Sequence, residues 1–475
     1  MRRERIFLGF AAVLLVVAGS GCATYTGSLR EAKDAVADGQ TRRGVTELNG
    51  AMKLEEKHQI PDKLTGKNTL ILLERATLLQ AMGKYKLAAR DMMIADQQLD
   101  WLDIGAQGKA KIGKYMFSGT SVKYRAPPYE RLLLNTFNMI NFMAMGDFEE
   151  AKVEARRFTI IEHFFVNDDD KQILPESLAF GNYLGGVSFE AAGDYREAAR
   201  YYGKAWHYGL QTDAFRRRLG DLLQMTGYKP NDILAQQSDE LSKLDLEVDK
   251  GEPLSHAEYR KKYVDGQVLV IVQTGMVPYK EGKRYPIGRA LTYASAHHHH
   301  YALTAEERRQ ANELAVSGAL KWISFPVLTE QGLPPTRAVD LAIDGSEHPI
   351  HMGTNVERQV EHGWDQIAGA LMAAAITRMI TRAVAGAAAR EGVKAATQKS
   401  GLGVLAQVAV EGGMAAADTP DTRSWSMLPA RVRFTRKKLG PGRHQVEVQI
   451  DGKTDEKSVE VSESGPTIIN FSRIR

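Results

Sequence analysis

The stretch "AAGDYREAARYYGKAW", residues 191–206, decides the fold. Gly193 can take the left-handed conformation that ends one helix, which costs a residue with a Cβ about 1–2 kcal/mol. Asp194 then offers a cap for the next helix. Ala198 and Ala205, five and twelve residues past Gly193, share one face of that helix, and their small size lets a paired helix approach. Tyr195, two past the glycine, has the bulk to fill the wedge between neighbouring pairs. Three more stretches carry the same pattern: "ADGQTRRGVTELNGAM" (37–52), "AMGKYKLAARDMMIAD" (81–96) and "AMGDFEEAKVEARRFT" (144–159). Their glycines are Gly39, Gly83 and Gly146, and Gly44, Ala88 and Ala151 stand five residues later. Tyr85 and Phe148 repeat the aromatic, and Asp147 repeats the cap.

This helix-turn-helix unit resembles the tetratricopeptide repeat. From Gly39 to Gly227 the turn glycines stand 44, 63, 47 and 34 residues apart. Only the last interval equals the family's unit length, so the earlier units carry insertions, the largest at about 100–128. The resemblance implies a helical solenoid over residues 22–245. Such an array has a groove for an extended peptide or a partner helix and brings no chemistry of its own. An irregular α-domain with unrelated Gly-x-aromatic turns is the other reading of the same residues.

A charged linker over 246–265 leads to a region of different character, 266–475. "GQVLVIVQTG", "KWISFPVL" and "TRAVDLAID" have the Val/Ile-rich runs of strands. Thr304 and Glu307 form a capping box that opens a helix. A Gly/Ala-rich helical hairpin is expected over 355–418. Arg378, Arg382, Arg390, Glu391 and Lys394 interrupt its apolar face too often for a membrane span, which favours close helix packing over insertion. Alternation at Ala430-Val432-Phe434 and Val446-Val448-Ile450, with a turn at Pro441-Gly442, predicts an antiparallel β module over 425–475 with Trp425 plugging its edge. Arg431, Arg433, Arg436, Lys437 and Lys438 read as one solvated basic strip; contact with lipid head groups or an anionic cell-wall polymer is the alternative. The fold class is therefore mainly α: a tetratricopeptide-like helical solenoid, then a smaller α+β region with a C-terminal antiparallel β module.

The chain's start explains its single cysteine. Arg2, Arg3 and Arg5 precede an uncharged segment, Ile6–Val17, and the small residues Ala18–Gly21: the layout of a secretory signal over 1–21. "AGSGC" resembles the lipobox of bacterial lipoproteins, with Gly19 where that family usually has Leu. The resemblance implies that Cys22 carries the lipid and becomes the new N-terminus. Ala23, in place of the Asp typical of inner-membrane retention, implies an outer-membrane lipoprotein facing the periplasm.

The 475 residues allow two or three domains, and 62 basic against 58 acidic residues leave a net charge of +4, which gives no field for nucleic acid. His297, His298, His299 and His300 are adjacent and cannot all turn to one ion, so they are weak metal candidates. Gly452-Lys453-Thr454 lacks the first glycine of a phosphate loop, Glu447 standing there, and reads as a hairpin turn. No nucleophile elbow, zinc-protease motif or Cys/His pair is present, and no cofactor is expected.

The segments "APPYERLLLNTF" (Ala126–Phe137), "DTRSWSMLPAR" (Asp421–Arg431) and "LGPGRHQVEV" (Leu439–Val448) resemble those of a poorly characterised family of large bacterial outer-membrane lipoproteins with tetratricopeptide-like repeats. The expectation is a non-enzymatic scaffold or adaptor. It is anchored to the membrane by lipid and binds periplasmic or outer-membrane proteins, with other envelope lipoproteins or the cell wall as further partners. Rival readings are an oligomeric envelope assembly or export component using the Gly/Ala-rich hairpin, and a cell-wall-active enzyme.

Overall fold

A computed structural model describes residues 25–56, 58–64, 67–101, 124–166, 173–228, 252–296, 303–316, 322–329, 338–397 and 420–474. The first half is helical: α1 (Tyr25–Ser28), α2 (Arg30–Ala37), α3 (Thr41–Ala51), α4 (Lys67–Ala81) and α5 (Tyr85–Gln98) come first. Two short strands, β1 (Asp100–Trp101) and β2 (Arg125–Ala126), pair in parallel. Then follow α6 (Pro128–Ala144), α7 (Phe148–Val166), α8 (Pro175–Ala191), α9 (Tyr195–His207), α10 (Asp213–Thr226) and α11 (His256–Tyr263).

Short turns join α2 to α3, α4 to α5, α6 to α7 and α8 to α9. Each turns on a left-handed glycine: Gly39 at φ 78°, Gly83 at 69°, Gly146 at 76° and Gly193 at 81°. Asp147 caps α7, its Oδ1 accepting from the Glu150 N–H at 3.1 Å. Asp194 makes no such side-chain bond. Within the pair α8–α9, a Cβ on Gly186 would lie 2.2 Å from the Tyr202 ring, so the helices touch backbone to ring.

The second half continues with β3 (Gln267–Thr274), β4 (Lys280–Pro286), α12 (Ile287–Ala296), α13 (Ala305–Val316), β5 (Trp322–Leu328), β6 (Val339–Ile343), β7 (Ser346–His348) and β8 (His351–Asn355). The 42-residue helix α14 (Val356–Thr397) follows, then β9 (Arg431–Lys438), β10 (Gly442–Ile450), β11 (Lys453–Val461) and β12 (Thr467–Arg473). One sheet has the order β12-β3-β9-β8 and a second β11-β10-β6-β7. Their inner faces meet through Val268, Val270, Leu341, Val446, Val448 and Phe471.

The other face of the first sheet lies on the helices. Leu269, Ile271, Val432 and Phe434 belong to the helical core, so β3 is buried along its whole length. That double burial is why its sequence is a continuous apolar run. The sheet rests on α4, α6 and α8, the first helices of the last three pairs. Gln273 Nε2 donates to Gln80 Oε1 at 2.8 Å, and Phe180 packs against Phe434 with ring centres 5.6 Å apart. Covered by the partner helix, the neighbouring pairs and the sheet, α6 buries every residue except Arg131 and Ala144. A separate core joins the antiparallel β4–β5 pair to α12, α13 and α14 through Phe325, Trp364, Leu371 and Ile376. Thr304 and Glu307 make their capping box on α13.

The structure is thus a helical region followed by a sheet-containing one, and three expectations change. Of the C-terminal strands, only β10 and β11 pair with each other; β9 and β12 flank β3, and β12 runs parallel to it. Pro441-Gly442 therefore crosses between sheets, because the apolar side of β9 needs the helices. The basic strip is divided: Arg431 pairs with Glu357 at 3.0 Å and Arg436 with Glu190 at 2.7 Å, both largely buried, while Lys437 and Lys438 stay exposed. Trp425 leaves the β module and enters the helical core. Of the Gly/Ala-rich hairpin, the arm within α14 is described through Thr397; the second arm lies outside the described residues.

Candidate functional site

Residues 422–430 have neither helical nor strand backbone up to Arg431, yet all are buried. A buried irregular segment must find partners for its own N–H groups. Two buried carboxylates supply them. Glu74, from the apolar run of α4, accepts from the Ser426 N–H at 2.8 Å, the Ser426 hydroxyl at 2.7 Å and the Met427 N–H at 2.7 Å. Glu130, in the first turn of α6, accepts from the Trp425 N–H at 3.1 Å and the Tyr124 hydroxyl at 3.0 Å. The Trp425 indole N–H donates to Thr77 Oγ1 at 2.9 Å, and its ring meets Phe137 edge-on at 6.3 Å. Arg423 folds back on Asp421 at 2.6 Å. The segment is an irregular strap, with a turn at Ser426–Met427, seated on α4 and α6.

The first described residues close over the same place. Tyr25 donates its hydroxyl to Glu74 at 3.2 Å. The Thr26 N–H donates to Thr422 Oγ1 at 3.2 Å, and its hydroxyl donates to the Lys280 carbonyl at 2.5 Å. Burial pushes the Glu130 carboxyl up to about 7, against the pull of the Trp425 N–H, the Lys280 charge and the Tyr124 hydroxyl. Burial also raises Glu74, opposed by its Ser426 and Met427 donors, and lowers Lys33 to about 8.

Beside the strap, an apolar cleft of about 360 Å³, measured out to its open mouth, lies among Tyr129, Lys280, Val360, Trp364, Ile367 and Trp425. All four oxygens of Glu74 and Glu130 already accept a hydrogen bond from within the body. The pair holds the strap in place.

A second buried knot ties the sheet to the helices farther along. Glu190 on α8 receives Tyr259 at 2.6 Å, Tyr202 at 3.0 Å, Arg218 at 3.1 Å and Arg436 at 2.7 Å. Burial alone would raise this carboxyl; Arg436 and Arg218 outweigh it and hold it below the usual range. Arg75 with Asp91 at 2.7 Å, and Lys204 with Glu162 at 2.9 Å, are further interior pairs.

Of the residues singled out in the sequence, Ala88, Ala151 and Ala198 are fully buried at helix contacts. Tyr85 and Phe148 are half-buried, and Tyr195 is buried against Tyr259 at 5.4 Å. Gly452, at φ 71°, sits in the β10–β11 turn. Cys22 and His297 to His300 lie outside the described residues. Among the described residues, no group of three His, Cys, Asp or Glu is placed to hold a metal, and no helix is long and apolar enough to cross a membrane. Glu74, Glu130 and Glu190 are the residues sequence reasoning missed. Their signal was present for two of them: Glu74 interrupts "LILLERATLL", and Glu130 stands inside the 126–137 segment. Comparison with protein-family models, with curated proteins and with solved structures finds no match.

Proposed function

We propose that this chain is a lipid-anchored, periplasm-facing scaffold of the bacterial outer membrane. Cys22 carries the lipid, and the helical pairs form a tetratricopeptide-like solenoid that binds partner proteins. The observation that carries the reading is the strap: α4 and α6 hold a buried, irregular segment through side-chain acceptors for its backbone N–H groups. This is the way a repeat array binds a peptide, here the chain's own. Partners then meet the faces turned away from the sheet, such as the side of α7 that exposes Glu149, Glu150, Arg156, Arg157 and Ile160. The interior carboxylates are spent on structural bonds, which supports a scaffold over an enzyme.

In-cell photocrosslinking from position 160 on α7 tests the reading. A discrete adduct is expected in the outer-membrane fraction, and it should leave that fraction when Cys22 is replaced by Ser, either for the inner membrane as unprocessed precursor or for the soluble periplasm. Absence of an adduct from every exposed position of α5, α7 and α9 would contradict the scaffold.

A further inference from the structure

The first described residues, Tyr25 and Thr26, are fixed in place, which decides how the body meets a membrane. Tyr25 is 7 % exposed, with its hydroxyl on Glu74. Thr26 is bonded to Thr422 and to the Lys280 carbonyl, elements from two distant parts of the chain. Only Ala23 and Thr24 separate Tyr25 from Cys22. Three residue steps span at most about 11 Å, so the Cys22 Cα stays within that distance of the Tyr25 Cα. An anchor with acyl chains in the bilayer keeps Cys22 at the head-group level. No tether is left to hold the body away.

The geometry points to a membrane seat: the exposed surface that adjoins the buried Tyr25–Thr26 junction, at Gly27, Arg30 and Glu31, faces the lipid surface and rests on it. The inference rests on lipidation of Cys22. Thr422 also lies beside Thr26, its carbonyl accepting from the Thr26 hydroxyl at 3.3 Å, so two backbone stretches meet at this junction. The outer sheet carrying β11 lies on the far side of the first sheet from the helices.

The test uses the full-length lipidated protein in phosphatidylethanolamine–phosphatidylglycerol vesicles containing a head-group spin-labelled lipid. A fluorophore is placed on Arg30→Cys, exposed at the start of α2, or on Glu456→Cys, exposed on β11. Strong quenching at position 30 and none at 456 is expected. An insert of about 20 Gly/Ser residues between Thr24 and Tyr25, with a mean span of about 25 Å, should abolish the quenching at 30. Equal quenching at the two positions, or quenching that survives the insert, overturns the seat while the lipid anchor stands. A mature N-terminal peptide without lipid on Cys22 overturns the lipoprotein reading, and the seat with it.

Discussion

Trp425 and Glu130 lie 295 positions apart in the chain and meet in its interior, where the Trp425 backbone N–H donates to Glu130 Oε1 at 3.1 Å. The contact joins two of the segments that stand out in the sequence, 126–137 and 421–431, and with Glu74 it fastens the sheet-bearing half to the helical half. The strap is part of the core, and its removal should be felt as a core change.

Trp425→Ala should cost about 3–5 kcal/mol, since it empties a fully buried site beside Phe137. Trp425→Phe keeps most of the packing and loses the bond to Thr77, for about 1–2 kcal/mol. Chemical denaturation of both variants checks the order; equal costs would place the ring's role in the hydrogen bond alone.

Glu130 gives a pH dependence with a definite sign. Its carboxyl titrates near 7 when folded against an ordinary 4.5, so the folded protein holds this proton more tightly through that window. The stabilisation is complete below 4.5 and is lost as pH rises through 7, a swing on the order of 3 kcal/mol. Thermal melts of Glu130→Gln should therefore show a flatter fall in Tm from pH 5 to about 7.5 than the wild type. Parallel profiles would mean that Glu130 is not protonated in the folded state.

Glu190→Gln leaves Arg218 and Arg436 buried without their carboxylate. Breaking such a pair costs about 3–5 kcal/mol. A loss below about 1 kcal/mol in urea unfolding would show that the two guanidinium groups find other acceptors.

Two glycines separate the two uses of that residue. Gly193→Ala meets nothing within 4 Å and pays only for its left-handed φ, about 1–2 kcal/mol. Gly186→Ala drives a methyl to 2.2 Å from Tyr202 and should cost more, about 3 kcal/mol or above. Melting temperatures in the reverse order would remove the close α8–α9 approach.

Gly193 was legible in the sequence because its demand is local. So were β3, from its apolar run, and the Thr304–Glu307 capping box. What covers a face was not legible. The alternation in 430–434 marks an apolar side without saying that helices from the first half lie on it. Arg436 looks solvated on its strand until Glu190 arrives from 246 positions away. The parallel pairing of β12 with β3 has the same cause: register between strands nearly 200 residues apart is set by the core they share. Trp425 reads as an edge plug for want of any local sign that α4 and α6 would take it in.

The most direct test of the lipid-anchored scaffold is the mature N-terminus itself. The account predicts that palmitate labels the wild-type protein, that its first residue is Cys22, and that Cys22→Ser loses the label, since a serine hydroxyl cannot supply the thiolate that accepts the lipid. Labelling that persists in Cys22→Ser, or a mature protein that begins at another residue, would contradict it.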